Sequence, residues 1–396
     1  MECLKWDTSA LGNRLFHTVT RAMTPFDLLD FDAHEAVHFF SDAASGLEAI
    51  IAIHSTVLGP AAGGCRYWAY ESRGAALIDA LRLSRGMSYK NAMAGLPFGG
   101  GKAVVLKRHG ARSETLFKAL GTAIESLEGA YITAEDVGTS VADMQAVASS
   151  TRFVSGLASA KDVAGGDPSP KTAYGLFISL QEGWRYLTGT DLAGVRVAVQ
   201  GLGGVGYELC NRLYQVGARL VVSDLDADRV RRGQQEFGAM AVSADLILST
   251  DADILAPCAM GAVLNAVTIP RISARLIAGG ANNQLAAIED GERLRQAGIL
   301  YAPDYVVNAG GIICVASEYL GEGSDEEVRA RIERIPATLR AIFKQAAADG
   351  LATNVVADRM AQERLLKGFR PRTTRALNPK CNKTSNGSDR VARADG

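Results

Sequence analysis

A chain of 396 residues that is 47% apolar and 21% charged can bury the cores of two or three ordinary domains and is not that of a disordered protein. Its 42 basic and 43 acidic residues leave a formal charge of −1, which favours neither nucleic acid nor an anionic membrane surface as a main partner. No apolar run approaches the ~20 residues of a membrane span. The start, Met1 to Ala10, holds Glu2, Lys5 and Asp7 and lacks the apolar centre of an export signal. Cys3, Cys65, Cys210, Cys258, Cys314 and Cys381 are scattered without a CxxC pair or histidines at ligand spacing, so a cytoplasmic protein without a metal is expected.

In chain order, residues 37–58 predict two strands around an Asp-Ala-Ala-Ser-Gly turn. Gly74 to Arg85 has Leu77, Ile78, Leu81 and Leu83 at helical spacing. Lys90 then falls just past that helix, and GLPFGGGKAVVL predicts a glycine turn running into a buried strand. A helix over 114–127 and a strand over Ala130 to Thr133 follow. Ala164 to Pro170 is turn-rich, a hinge candidate, and a long amphipathic helix is expected from about Thr172.

From Val195 onward strands alternate with helices, which implies parallel strands joined by crossover helices. Helices over about 324–368 lie beyond that unit and are expected to pack back on the first domain. The rest of the chain, 369–396, is polar, basic and without periodicity, the composition of a disordered tail. The reading is an α/β protein of two domains, with 1–160 (joined by 325–368) as a substrate domain and 165–324 as a dinucleotide domain, the cleft between them.

Gly201-Leu202-Gly203-Gly204-Val205-Gly206 fits G-x-G-x-x-G, which alone is a weak signal. Here it follows the apolar strand Val195 to Val199, opens a helix, and precedes Asp224 at the end of the next strand. Gly201 permits a tight turn, Gly203 a close approach of diphosphate to backbone, and Gly206 close packing of helix on strand. The free N–H groups of the helix start attract phosphate. Asp224 accepts hydrogen bonds from ribose hydroxyls and repels a 2′-phosphate, which favours NAD over NADP.

Lys102 stands at the mouth of the apolar Ala103-Val104-Val105-Leu106, where a lysine is costly unless partnered. Asp136, in Thr133-Ala134-Glu135-Asp136, follows another strand. Two lysines and a carboxylate suit an anionic substrate beside a nicotinamide. One lysine holds a carboxylate, and the second, crowded and partly desolvated, has its pKa pushed toward neutrality for acid–base work. On the residues alone, Lys90 and Lys102 fit equally well surface charges with buried stems, and Asp136 a turn or cap.

LRLSRGMSYKNAMAGLPFGGGKAVV, YITAEDVGTSVADM, DPSPKTAYG, AVQGLGGVGYELC, APCAMGAVLN, IAGGANNQL and GILYAPDYVVNAGGIICVASE occur in this order. Over roughly residues 40–365 the chain resembles the Glu/Leu/Phe/Val dehydrogenase family, nearest its leucine, valine and phenylalanine branch. The resemblance implies that Lys90 binds the substrate carboxylate, that Lys102 is the catalytic base, and that Asp136 assists proton transfer at the amino nitrogen. It places Asn283 near nicotinamide and substrate, Asn308 in the site lining, and Thr172 on the nicotinamide carboxamide. Lys107-Arg108-His109 departs from the small polar residue and proline usual after the catalytic strand, and the basic tail is not a family feature.

The implied reaction is hydride loss from the α-carbon to NAD, attack on the iminium by a water that Lys102 activates, and release of ammonia helped by Asp136. It needs a cleft that closes, with hinges expected near 155–170 and 320–330. In the glutamate branch a lysine stands where this chain has Ala62, beside Gly63, so a side-chain carboxylate is disfavoured. Ala62, Ala134, Ile312 and Val315 read as an apolar wall for a branched-chain side chain, with an aromatic one as the alternative. Homo-oligomers are expected from the family. Competing readings are another NAD oxidoreductase, which would want an arginine and a histidine in the site, and a catalytically silent NAD-binding regulator.

Overall fold

The computed structural model describes residues 24–107, 112–157, 167–321 and 324–368. Alternating apolar residues build the first sheet. Strand β1 (Ala36–Asp42) pairs antiparallel with β2 (Leu47–Ser55), and the two-residue β3 (Ala61–Ala62) and β4 (Cys65–Trp68) follow. Helix α1 (Arg73–Ala94) leads into β5 (Gly99–Leu106), then α2 (Glu114–Glu125), β6 (Tyr131–Ile132) and α3 (Val141–Ala148). The sheet order is β1-β2-β5-β3-β6, with β4 also on β5.

Period-two alternation sends Ile50, Ala52 and Val104 to one face, against Ala76, Ala80 and Leu81 of α1. Leu47, Ala49, Ile51, Ala103 and Val105 go to the other, against Phe117 and Leu120 of α2 and Met144 and Val147 of α3. Lys102 shares its face with Val104. The side chain that marks the site therefore leaves the sheet toward α1.

Two expectations are corrected here. Lys90 does not follow the helix but lies inside it, since α1 runs on through Gly86 and Ser88 to a left-handed cap at Gly95, φ +67°. The glycine run is not a turn, because Gly99, Gly100 and Gly101 are strand residues of β5. Their approach is to the protein itself. A Cβ on Gly100 would lie 2.0 Å from Ser88 N, and one on Gly99 1.8 Å from Ser55 O.

The second sheet is wholly parallel. Helix α4 (Ser169–Thr188) starts three residues earlier than expected and leads to β7 (Arg196–Gln200), α5 (Gly204–Gln215), β8 (Arg219–Ser223), α6 (Ala227–Phe237) and β9 (Met240–Ala241). Then come β10 (Ile254–Pro257), β11 (Leu276–Ile277), α7 (Asp290–Gln296) and β12 (Leu300–Tyr301). The order β12-β11-β10-β7-β8-β9 reverses direction between β7 and β10. Ligands of open α/β sheets bind at such a switch point, beyond the carboxyl ends of the strands.

The remaining helices are α8 (Asp304–Val307), α9 (Gly310–Leu320), α10 (Asp325–Ile332), α11 (Ile335–Asp349) and α12 (Thr353–Lys367). They serve both halves rather than the first alone. Arg364 of α12 donates to the carbonyls of Ala92 and Met93 at the end of α1, at 3.0 and 2.8 Å. Arg340 of α11 instead pairs with the buried Glu182 of α4. Most of the hinge candidate at 155–170, part of the one at 320–330, Arg108, His109 and the tail lie outside the described residues. No helix among the described residues is long and apolar enough to cross a membrane.

Candidate active site

Between the two sheets lies a cavity of about 560 Å³, within the range of small-molecule sites. Lys90 from α1, Lys102 from β5, Asp136 from the loop after β6, and Asn283 and Asn308 from the second half all line it. So do Ala62, Gly63, Ala134, Ile312 and Val315, together with Thr172 and Val205. The sheet registers explain the convergence. Parallel pairing sets Arg66 beside Val104, so Arg66 leaves the sheet on the face of Lys102.

Lys102 is 5% exposed and donates its ammonium to Asp136 Oδ2. The loop that carries Asp136 is stapled by Thr139, whose hydroxyl accepts from Asp136 N at 2.9 Å and lies 3.0 Å from the carbonyl of Cys65. Burial alone would raise the Asp136 carboxyl, but Lys102 and Arg66 outweigh it and hold the pKa at about 2. The carboxylate is an anion throughout the working range.

Lys90 donates to Asn282 Oδ1 at 3.0 Å, and Asn308 Nδ2 reaches the same oxygen at 2.9 Å. Burial in the cleft pulls the Lys90 ammonium down to about 8, the charge of Asp304 working against it and that of Lys102 with it. The lysine with the depressed pKa is therefore the one the sequence marks for carboxylate binding. The one marked as base is ion-paired.

Burial likewise raises the Asp304 carboxyl, although backbone N–H groups of Gln284, Tyr305 and Asn283 support it as an anion. Asp304 thereby fixes the loop in which Asn283 adopts a left-handed conformation, φ +52°. Asn282, Asp304 and Arg66 were missed by the sequence reading. Asn282 is hidden beside the more prominent Asn283, and Asp304 and Arg66 are revealed only by tertiary pairing.

The glycine turn after β7 has the shape its spacing predicts. Gly201 has φ +94°, and a Cβ on Gly206 would lie 1.9 Å from Gly201 O. Nothing stands within 4 Å of the place where a Cβ would sit on Gly203, and α5 begins at Gly204 without a side-chain cap. Open space before uncapped N–H groups fits a diphosphate. Asp224 Oδ2 accepts from Leu202 N at 2.6 Å, which anchors the turn and keeps the carboxylate at the end of β8. Thr172 donates to Pro168 O at 3.0 Å at the first turn of α4.

A parallel sheet with an uncapped glycine turn at its switch point, facing a lysine–carboxylate pair across a cleft, defines a two-domain α/β dehydrogenase. Residues 34–153 match the Glu/Leu/Phe/Val dehydrogenase dimerisation domain, and residues 167–369 the Glutamate/Leucine/Phenylalanine/Valine dehydrogenase domain. The chain belongs to the Glu/Leu/Phe/Val dehydrogenase family. It is 47% identical over 351 residues to a leucine dehydrogenase of Bacillus cereus, covering 88% of this chain and 95% of that one. It is 44% identical over 348 residues to a valine dehydrogenase of Streptomyces coelicolor, covering 87% and 95%. The crystal structure of L-tryptophan dehydrogenase from Nostoc punctiforme superposes with a TM-score of 0.73 at 41% identity, over 85% of this chain and 96% of that one.

Proposed function

We propose that this protein catalyses the reversible, NAD-dependent oxidative deamination of a branched-chain L-amino acid, of leucine or valine type, to the 2-oxo acid and ammonia. One observation carries the reading: Lys90 and the Lys102–Asp136 pair enter one cavity whose other walls include Ala62, Ala134, Ile312 and Val315. The relatives named for leucine and valine support the substrate class. Asp224 at the end of β8 supports NAD over NADP, since a carboxylate repels a 2′-phosphate. Gly201, Gly203, Gly204, Val205 and Gly206 would hold the diphosphate, and Thr172 and Asn283 the nicotinamide. In this reading residues 1–160 with 325–368 act as the substrate domain and 165–324 as the dinucleotide domain.

In this mechanism Lys90 holds the substrate carboxylate as a point charge, and Gly63, Asn283 and Asn308 complete the polar lining. NAD, held by the turn at Gly201 to Gly206, would supply the acceptor for the α-hydrogen as hydride, and the substrate that has lost it is an iminium. Lys102, as the free amine, takes a proton from water as that water adds to the iminium carbon. That proton passes from Lys102 to the nitrogen, and Lys102, neutral again, takes the hydroxyl proton as the C–N bond breaks, so that the carbonyl forms and ammonia leaves. Asp136, held as an anion, orients Lys102 and balances the charge on the nitrogen. In that place it assists proton transfer at the amino nitrogen.

A second reading, an aromatic amino acid, draws on Ala62, whose small side chain leaves room at the wall, and on the tryptophan dehydrogenase likeness. A cytoplasmic homo-oligomer completes the proposal, in keeping with the dimerisation domain matched at 34–153. The test is NADH formation with a panel of L-amino acids, NAD against NADP, for the native chain and Lys102→Ala. Turnover of leucine, valine or isoleucine that Lys102→Ala reduces by about 10³-fold or more is expected. Preference for phenylalanine or tryptophan would favour the second reading, and NAD binding without turnover of any amino acid would leave only the fold.

A further inference from the structure

Arg66 stands between two carboxylates. Its Nη1 donates to Asp79 Oδ2 at 2.9 Å, and Tyr70 donates its hydroxyl to the same oxygen at 2.5 Å. Its Nε lies 3.6 Å from Asp136 Oδ2, the oxygen that Lys102 also meets. That Nε is buried and has no hydrogen-bond partner among the described residues. A buried donor left unpaired is costly, so a fold that holds one beside an anion keeps it close to a compensating contact.

That contact is needed when Lys102 is neutral. As a base, Lys102 must give up the charge that balances a buried carboxylate, and an unbalanced buried anion opposes the loss. Arginine does not deprotonate, and its planar fork serves two carboxylates at once. Anchored by Asp79, the guanidinium needs only a small swing to bring Nε within hydrogen-bond distance of Asp136.

We propose that Arg66 is a positioning residue for the Lys102–Asp136 pair, taking over the Asp136 carboxylate when Lys102 releases its proton or turns to the substrate. The inference rests on the reading of Lys102 as the base. Other groups facing the pair are Lys90 and Asp79 on α1, Cys65 on β4 and Tyr131 on β6, with Asp304 acting on Lys90 from α8. Burial pushes the Cys65 thiol up to about 12 and the Tyr131 hydroxyl higher, so neither supplies charge near neutrality. With Arg66 removed, the anion acts on Lys102 without its second counter-charge.

The experiment is the pH profile of kcat/KM for deamination of the best amino acid, measured for the native enzyme, Arg66→Met, Arg66→Lys and Lys102→Ala. In Arg66→Met the acid limb, where activity rises as the base deprotonates, should move upward by about one pH unit or more. Arg66→Lys, which restores a cation without the fork, should recover part of that shift. A folded Arg66→Met whose activity falls equally at every pH, with the limb unmoved, would overturn the inference.

If Arg66→Met fails to fold, Asp79→Asn serves instead. Releasing the guanidinium toward Asp136 should move the limb downward, and an unmoved limb counts against the proposal. An active Lys102→Ala would remove the reading of the base and this inference with it. An inactive one beside an unmoved limb removes the inference alone.

Discussion

Lys90 and Lys102 leave neighbouring elements, α1 and β5, and enter the same cavity, yet Lys102 meets a carboxylate while Lys90 meets an amide oxygen. The difference sets their electrostatics. Without a carboxylate in direct contact, the Lys90 ammonium is held at about 8 by burial. If Lys90 holds the substrate carboxylate, it must be protonated to do so, and affinity is lost as pH rises through that value. The 2-oxo acid isolates the effect, because it has no amino group to titrate. Its inhibition constant against the amino acid should be flat below pH 8 and weaken about tenfold per unit well above it. Lys90→Arg, charged at every accessible pH, should flatten the curve. An inhibition constant that stays constant to pH 10 in the native enzyme would show that the carboxylate is held by another group.

Much of the element order was legible because periodicity reports local geometry. The alternation of Ile50, Ala52 and Val104 against Ile51, Ala103 and Val105 marks a sheet covered on both faces. The strand–glycine–helix–strand order around Gly201 likewise marks the turn at the switch point. What failed were judgments that depend on a distant neighbour. Gly86, Ser88 and Asn91 resemble a helix end, but tertiary packing carries α1 through them, with Ser88 and Asn91 buried. Gly99 to Gly101 resemble a turn, but they are where α1, the end of β2 and the ring of Tyr131 press on β5. Arg66 carries no mark in its own segment, since its partners Asp79 and Asp136 are 13 and 70 positions away.

The contact at Gly100 has a direct consequence for stability. A Cβ there would lie 2.0 Å from Ser88 N and 2.5 Å from Ser84 O, both backbone atoms of α1, and neither can turn aside as a side chain does. Gly100→Ala should therefore push α1 off the sheet, at a cost of about 3 kcal/mol. It should also displace Lys90, two residues beyond Ser88 on α1. Thermal unfolding with NAD titration checks this: a lower melting temperature is expected with cofactor affinity little changed, because the glycine turn at Gly201 lies in the other half. A melting temperature equal to that of the native protein would show that α1 and β5 are less tightly apposed than the described geometry requires.

The two halves meet at the site. Lys90 of the first donates to Asn282 of the second, a bond that a substrate carboxylate must share or displace. Nearby, Glu318 of α9 accepts from the backbone N–H groups of Gly156 and Leu157 at 3.0 and 3.1 Å, and Ser155 donates to Val315 O at 3.1 Å. These bonds tie the C-terminal part of α9 to the end of the first half.

We propose that chemistry in the cleft gains from closure of the two halves. A hydride leaving the α-carbon requires the dinucleotide turn at Gly203 and the lysines of the first sheet to approach one molecule together. Expelling water strengthens the field of Lys90 and Lys102 at the same time. The expected outcome is a smaller radius of gyration in solution scattering when NAD and the 2-oxo acid are added together, with less change for either alone. Glu318→Ala, which frees α9 from Gly156 and Leu157, should broaden the distribution of the unliganded protein and leave the compact, doubly liganded form accessible. Equal compactness with and without both ligands would mean that the cleft is already in its working shape.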